Sequence, residues 1–150
     1  MRLSAQSKYA ILGMLELALQ YRRKFVSVAK LAEKQGISRP LLEKLLLQLK
    51  RAGLTESRRG PDGGYSLALP PDEIRIGDIF EAVEGPVNFT GGFDLSLRSE
   101  AVDHCMVFLL QEIEEGICEV LNAKTLQDLC CKAREFNQLS QPAHSHSFSI

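Results

Sequence analysis

Between Val28 and Leu69 the chain sets two short helical patterns on either side of a four-residue turn, then runs directly into a hairpin. Few folds accept that order. Residues 28–35 place Val28, Leu31 and Ala32 on one face, and Gly36 follows where helices commonly end on glycine. Ser38 is positioned to cap the next helix, whose first turn tolerates Pro40. Leu41, Leu42, Leu45, Leu46 and Leu49 then form an apolar stripe that stops at Gly53. The turn "QGIS" carries a glycine, and Ile37 is placed to pack between the two helices. This is the outline of a helix-turn-helix, which by itself any small helical bundle shares.

The next residues narrow the choice. "LTESRR" and "YSLAL" are strand-like runs, and "GPDGG" between them is turn chemistry. A helix-turn-helix followed at once by a hairpin is a winged helix. Arg58 and Arg59 then sit on the wing beside glycines that let the backbone come close to a partner. A narrow groove lined with phosphate is a natural target for an arginine held in this way.

The flanking segments are helical. Ser4 or Ser7 is a cap for a helix running to about Gln20, with Ala10, Ile11, Met14, Leu15, Ala18 and Leu19 covering a wide face. The basic link "YRRKF" separates it from the second helix. Residues 76–84 form another helix, carrying Ile79, Phe80 and Val83 and ended by Gly85 and Pro86. Residues 87–98 lack periodicity and read as a loop. From 99 to 122, Val102, Met106, Leu109, Ile113, Ile117 and Val120 step by four, three, four, four and three, close to a coiled-coil seam. Such a helix is about 36 Å long, more than one small domain covers, so a second copy is the economical partner for the seam. Thr125 caps a short helix to about 136, and residues 137–150 read as a frayed tail. The expected fold is mainly α with a small β-hairpin: a winged helix-turn-helix domain over residues 1–86, a loop over 87–98, and a long dimerisation helix plus a short C-terminal helix over 99–136.

Charge divides along the same line. Residues 1–60 hold thirteen Lys and Arg against four Asp and Glu, a net of +9; residues 61–150 hold five against fifteen, a net of −10. This asymmetry points to a polyanion partner for the front half. A membrane surface is the competing polyanion, but no basic amphipathic helix or lipidation signal is present. No run of about 18 apolar residues exists to span a bilayer. The opening "MRLSAQSKYA" lacks the apolar core and cleavage site of a signal peptide, so the expected location is the cytoplasm. An enzyme is not expected. The three histidines lie in no triad-like setting, and there is no phosphate-binding glycine loop of Walker or Rossmann type.

The segments "MRLSAQSKYAILGMLELAL", "LAEKQGISRPLLEKLLLQLKRAGLTESRRGPDGGYSLA", "IRIGDIFEAVEG" and "VLNAKTLQDL" together resemble the Rrf2 family of bacterial transcription regulators. The resemblance is close over 1–86 and looser over 99–129. It implies a two-fold homodimer on a pseudo-palindromic operator, with the third helix in the major groove and the wing in the minor groove. Carried over, Arg59 matches the family's wing arginine, and Gly60, Gly63 and Gly64 match its turn. Tyr9 matches a first-helix tyrosine near the phosphates, and Ser38 and Glu43 match recognition-helix positions. Pro40, Leu41 and Lys44 depart from the polar or aromatic residues of relatives, so the operator sequence does not transfer. The chemistry of the side chains agrees. Glu43 is suited to accept from a cytosine amino group, while Arg39, Lys44, Lys50 and Arg58 are suited to neutralise phosphates. A competing reading is a protein-interaction module with only nonspecific DNA affinity.

The signal is less legible. Many Rrf2 relatives hold an iron–sulfur cluster through three cysteines in the loop before the long helix, and here residues 85–104 contain no cysteine. His104 and Cys105, at the far end of that loop, are the nearest metal-ligand candidates. Cys118 lies about 20 Å further along the same helix and cannot join Cys105 on one cluster within one chain. His144 and His146 in the tail are further imidazoles. The vicinal pair Cys130 and Cys131 is the candidate redox thiol, with the plain alternative of one core residue and one surface thiol.

Overall fold

The computed structural model describes residues 3–92, 94 and 99–140. Six α-helices and one hairpin follow in order: α1 (Ala5–Leu19), α2 (Val28–Gln35), α3 (Arg39–Arg51), β1 (Thr55–Arg58), β2 (Gly64–Leu67), a single 3-10 turn (Pro71–Glu73), α4 (Ile76–Glu84), α5 (Glu100–Asn122) and α6 (Leu126–Ser140). The fold is therefore mainly helical with a two-stranded antiparallel hairpin.

Each early boundary has a local cause. The Ser4, Ser27 and Ser38 hydroxyls accept from the amides of Ser7, Lys30 and Leu41, satisfying donors that the first helical turns leave open. Gly36 ends α2 with φ 65°, and the amides of Gly36 and Ile37 turn back to the carbonyls of Glu33 and Ala32. Thr125 and Asp128 cap α6 reciprocally, the Asp128 carboxylate accepting from the Thr125 amide at 2.8 Å.

Helix α1 is the hub. It packs against α2, α3, α4, α6 and β2, which is why its apolar residues spread around most of its circumference. Ala10, Met14 and Leu17 on α1 meet Leu42, Leu46 and Leu49 on α3, with Ile74 and Ile79 completing the cluster. Burying each such leucine contributes about 1.5–3 kcal/mol of transfer free energy. The core does not stop at residue 86. Leu126 and Cys130 of α6 lie in the same cluster, and the α6 start is laced to the α4 start by Leu126 N–H to Ile74 C=O (2.8 Å) and Ile76 N–H to Lys124 C=O (3.0 Å). The C-terminal helix therefore completes the core of the preceding domain. It also runs to Ser140, beyond the expected end near 136, so residues 137–140 are helical where a frayed tail was expected. The rest of that tail, with His144 and His146, lies outside the described residues.

Helix α5 is different in kind. Its 23 residues extend about 34 Å, and its main packing partner is α4. Of the seam residues, Val102, Leu109, Ile113 and Val120 are exposed, Val120 by 72%, while Met106 and Ile117 are half-buried. Phe108, outside the seam, is also exposed.

Candidate nucleic-acid interface

The candidate surface is assembled from α3 and the hairpin. Leu42, Leu45, Leu46 and Leu49 are fully buried, so the opposite side of α3 faces outward with Arg39, Pro40, Glu43, Lys44, Leu47, Lys50 and Arg51 exposed. Ser38 at its start spends its hydroxyl on the cap, accepting from Leu41 N–H at 3.4 Å. Arg39 Nε donates to Glu43 Oε1 at 3.1 Å, so the carboxylate expected to face a cytosine already orients a guanidinium. An exposed pair of this kind contributes about 0.3–0.5 kcal/mol and is readily exchanged for another partner.

The hairpin is fixed to α3 along one face. Thr55 Oγ1 donates to the Leu46 carbonyl (3.2 Å), and Lys50 Nζ donates to Ser57 Oγ (2.6 Å). Strand residues alternate between faces, so Glu56 and Arg58 point the other way. There the Arg58 guanidinium lies 4.3 Å from the centroid of the Phe25 ring. The structure thus splits the arginine pair: Arg58 stacks on the outer face of the hairpin, while Arg59 stands exposed at the tip. At that tip the Gly63 amide donates to the Gly60 carbonyl at 3.0 Å, and Gly60 adopts φ 111°, closed to most side chains.

The link before α2 joins this surface. Val26 and Tyr65 exchange both backbone hydrogen bonds, at 2.8 and 2.9 Å, adding a one-residue third strand to the hairpin. Gly64 is needed for that approach. It has φ 141°, and a Cβ there would overlap the Val26 carbonyl and lie 2.8 Å from Ser27 N. Arg22, Lys24 and Phe25 consequently line an open cleft with Glu56, Arg58 and Asp62. A single bridge leaves no periodic signal, so the sequence showed the link only as basic.

Tyr9 is half-buried on α1. The start of α1 is anchored by Glu84 at the end of α4, whose carboxylate accepts from the Ser4 and Ser7 hydroxyls. Those hydroxyls, Ser4 first, hold Glu84 below the usual carboxylate range against a small opposing effect of burial. Just beyond, Glu114 of α5 accepts from the amides of Phe89 and Thr90, tying the loop to the long helix.

The chain belongs to the Rrf2 family. The family model, described as an iron-dependent transcriptional regulator, matches residues 3–132. The transcriptional regulator IscR of Cereibacter sphaeroides is 47% identical over 90 residues, a match covering 59% of this chain and 58% of that protein. Among solved structures, T. potens IscR superposes with a TM-score of 0.73 at 34% identity, covering 95% of this chain and 94% of that one. CymR, the global cysteine regulator of B. subtilis, superposes with a TM-score of 0.72 at 32% identity, covering 88% of this chain and 98% of that one.

The Rrf2 family description raises iron, and the described donor residues do not form a site within one chain. Among the described residues, no three His, Cys, Asp or Glu side chains come together as metal ligands. His104 and Cys105 are both exposed on α5, and His104 Nδ1 donates to the Glu100 carbonyl at 2.7 Å. The vicinal thiols part company as well. Cys130 is buried in the core, where burial pushes its thiol up, and Cys131 is exposed beside Gln127.

Proposed function

We propose that this Rrf2 protein is a sequence-specific DNA-binding transcriptional regulator, acting in the cytoplasm as a homodimer on a pseudo-palindromic operator. The observation that carries the reading is the hairpin locked to the exposed face of α3 through Lys50 and Ser57. That arrangement presents a helix and a wing tip as one rigid unit. A helix fits the major groove, and Arg59 reaches the adjacent minor groove. Ser38, Arg39, Pro40, Glu43 and Lys44 face base edges and nearby phosphates. Tyr9, Lys50 and Gly60 approach the backbone, and Arg58 supports the wing from behind. The exposed seam of α5 pairs with that of a second copy, which aligns two recognition helices with two half-sites. The protein works by binding and not by catalysis. A redox input enters through the exposed thiols Cys105 and Cys131, because Cys130 is buried in the core and burial pushes its thiol up.

The test is selection of binding sites from a random duplex library by the full chain, followed by footprinting and sedimentation. The expected result is an enriched two-fold sequence protected at two half-sites by one dimer. Binding freely competed by any duplex, with no enriched sequence, would overturn the regulator reading in favour of an interaction module.

A further inference from the structure

One residue on the outer face of α3 does not match its surroundings. Leu47 is 40% exposed on a helix whose inward-facing leucines Leu42, Leu45, Leu46 and Leu49 are at 0%. Its neighbours at i±3 and i±4 are Glu43, Lys44, Lys50 and Arg51, and all four are exposed. Isolated exposed leucines are ordinary on protein surfaces. This one sits in the middle of the face offered to the duplex, an apolar tip ringed by three cations and a carboxylate. A complementary partner must itself be apolar at the centre and anionic at the edges. The major groove at a thymine has that form: the 5-methyl group projects into the groove between two phosphate-lined walls.

We propose that Leu47 is a specificity-determining residue that reads a thymine methyl in each half-site of the operator. This rests on the regulator reading above. Arg39 and Glu43 contribute polar contacts toward the start of α3, and Lys50 and Arg51 hold the backbone beyond Leu47. The leucine selects thymine over cytosine, and over uracil in the same sequence context, by covering the methyl.

The experiment uses duplexes carrying the site selected by the full chain, with deoxyuridine replacing thymine one position at a time, so that only the methyl is removed. Loss of one buried methyl corresponds to about a fourfold weaker affinity. That loss is expected at one symmetry-related pair of thymines for the wild type, and is expected to vanish in Leu47→Ala. Leu47→Met, which keeps an apolar tip of similar size, retains it. A site insensitive to uracil at every position overturns the proposal while leaving the regulator reading intact, as does an equal penalty in the wild type and Leu47→Ala. Failure to select any sequence overturns both.

Discussion

Replacing Gly64 by alanine separates backbone strain from backbone collision, because Gly60, four residues earlier around the same turn, supplies the control. Both glycines occupy positive φ, 141° at Gly64 and 111° at Gly60. Alanine in such a conformation is strained by about 1–3 kcal/mol, partly offset by 0.4–1 kcal/mol from restricting the unfolded chain. At Gly60 nothing lies within 4 Å of a new Cβ, so strain is the whole effect and about 1–2 kcal/mol is expected. At Gly64 the new methyl meets the Val26 carbonyl and Ser27 N, both backbone atoms that cannot swing aside. The link must withdraw, and the two hydrogen bonds between Val26 and Tyr65 go with it. Each contributes about 0.5–1.5 kcal/mol, which brings the expected loss to roughly 2–5 kcal/mol. Urea denaturation followed by circular dichroism, at one protein concentration for all variants, measures both. A Gly64→Ala loss no greater than that of Gly60→Ala would refute the reasoning, since it would mean that the close approach of the link is not a constraint on the fold.

Further predictions concern the interface, the dimer and acid stability. Arg59→Ala is expected to weaken affinity for the selected site by roughly 1–3 kcal/mol at fixed salt, and unchanged affinity in a titration by fluorescence anisotropy would remove the wing tip from the interface. Lys50→Ala should lower the slope of log affinity against log salt by about 1, with Ser57→Ala leaving that slope in place. Ile113→Asp, set in the exposed seam of α5, should convert the proposed dimer to a folded monomer in analytical ultracentrifugation; an intact dimer would place the interface elsewhere. Glu84 has a folded-state pKa below its unfolded value, so its contribution is present above the usual carboxylate range and lost as pH falls through the folded value. Glu84→Gln should therefore flatten the acid side of the stability profile and leave its neutral-to-basic shape unchanged.

The elements of this chain were largely legible because their causes are local. Ser4, Ser38 and Thr125 announce helix starts, Gly36 and Gly53 announce ends, and GPDGG announces the turn, each through the hydrogen bonds or φ angles of a few neighbouring residues. The stripes on α3 and α5 are likewise periodic and visible without coordinates. What only the tertiary structure decided are meetings between residues far apart in the chain. The end of β1 at Arg58 separates it from Arg59 at the tip, but Phe25 determines what Arg58 touches. Val26 joins the hairpin by a single bridge, too short to leave a pattern. Leu47 lies outside the apolar stripe, but only the packing of α1 and α4 against α3 shows how far it is left uncovered. Cys130 and Cys131 are adjacent in sequence, yet the rotation of α6 against the core buries one and exposes the other. Local hydrogen bonding and periodicity determine which segments are helix or hairpin; burial is a property of the assembled surfaces, and it assigns the individual side chains to core or interface.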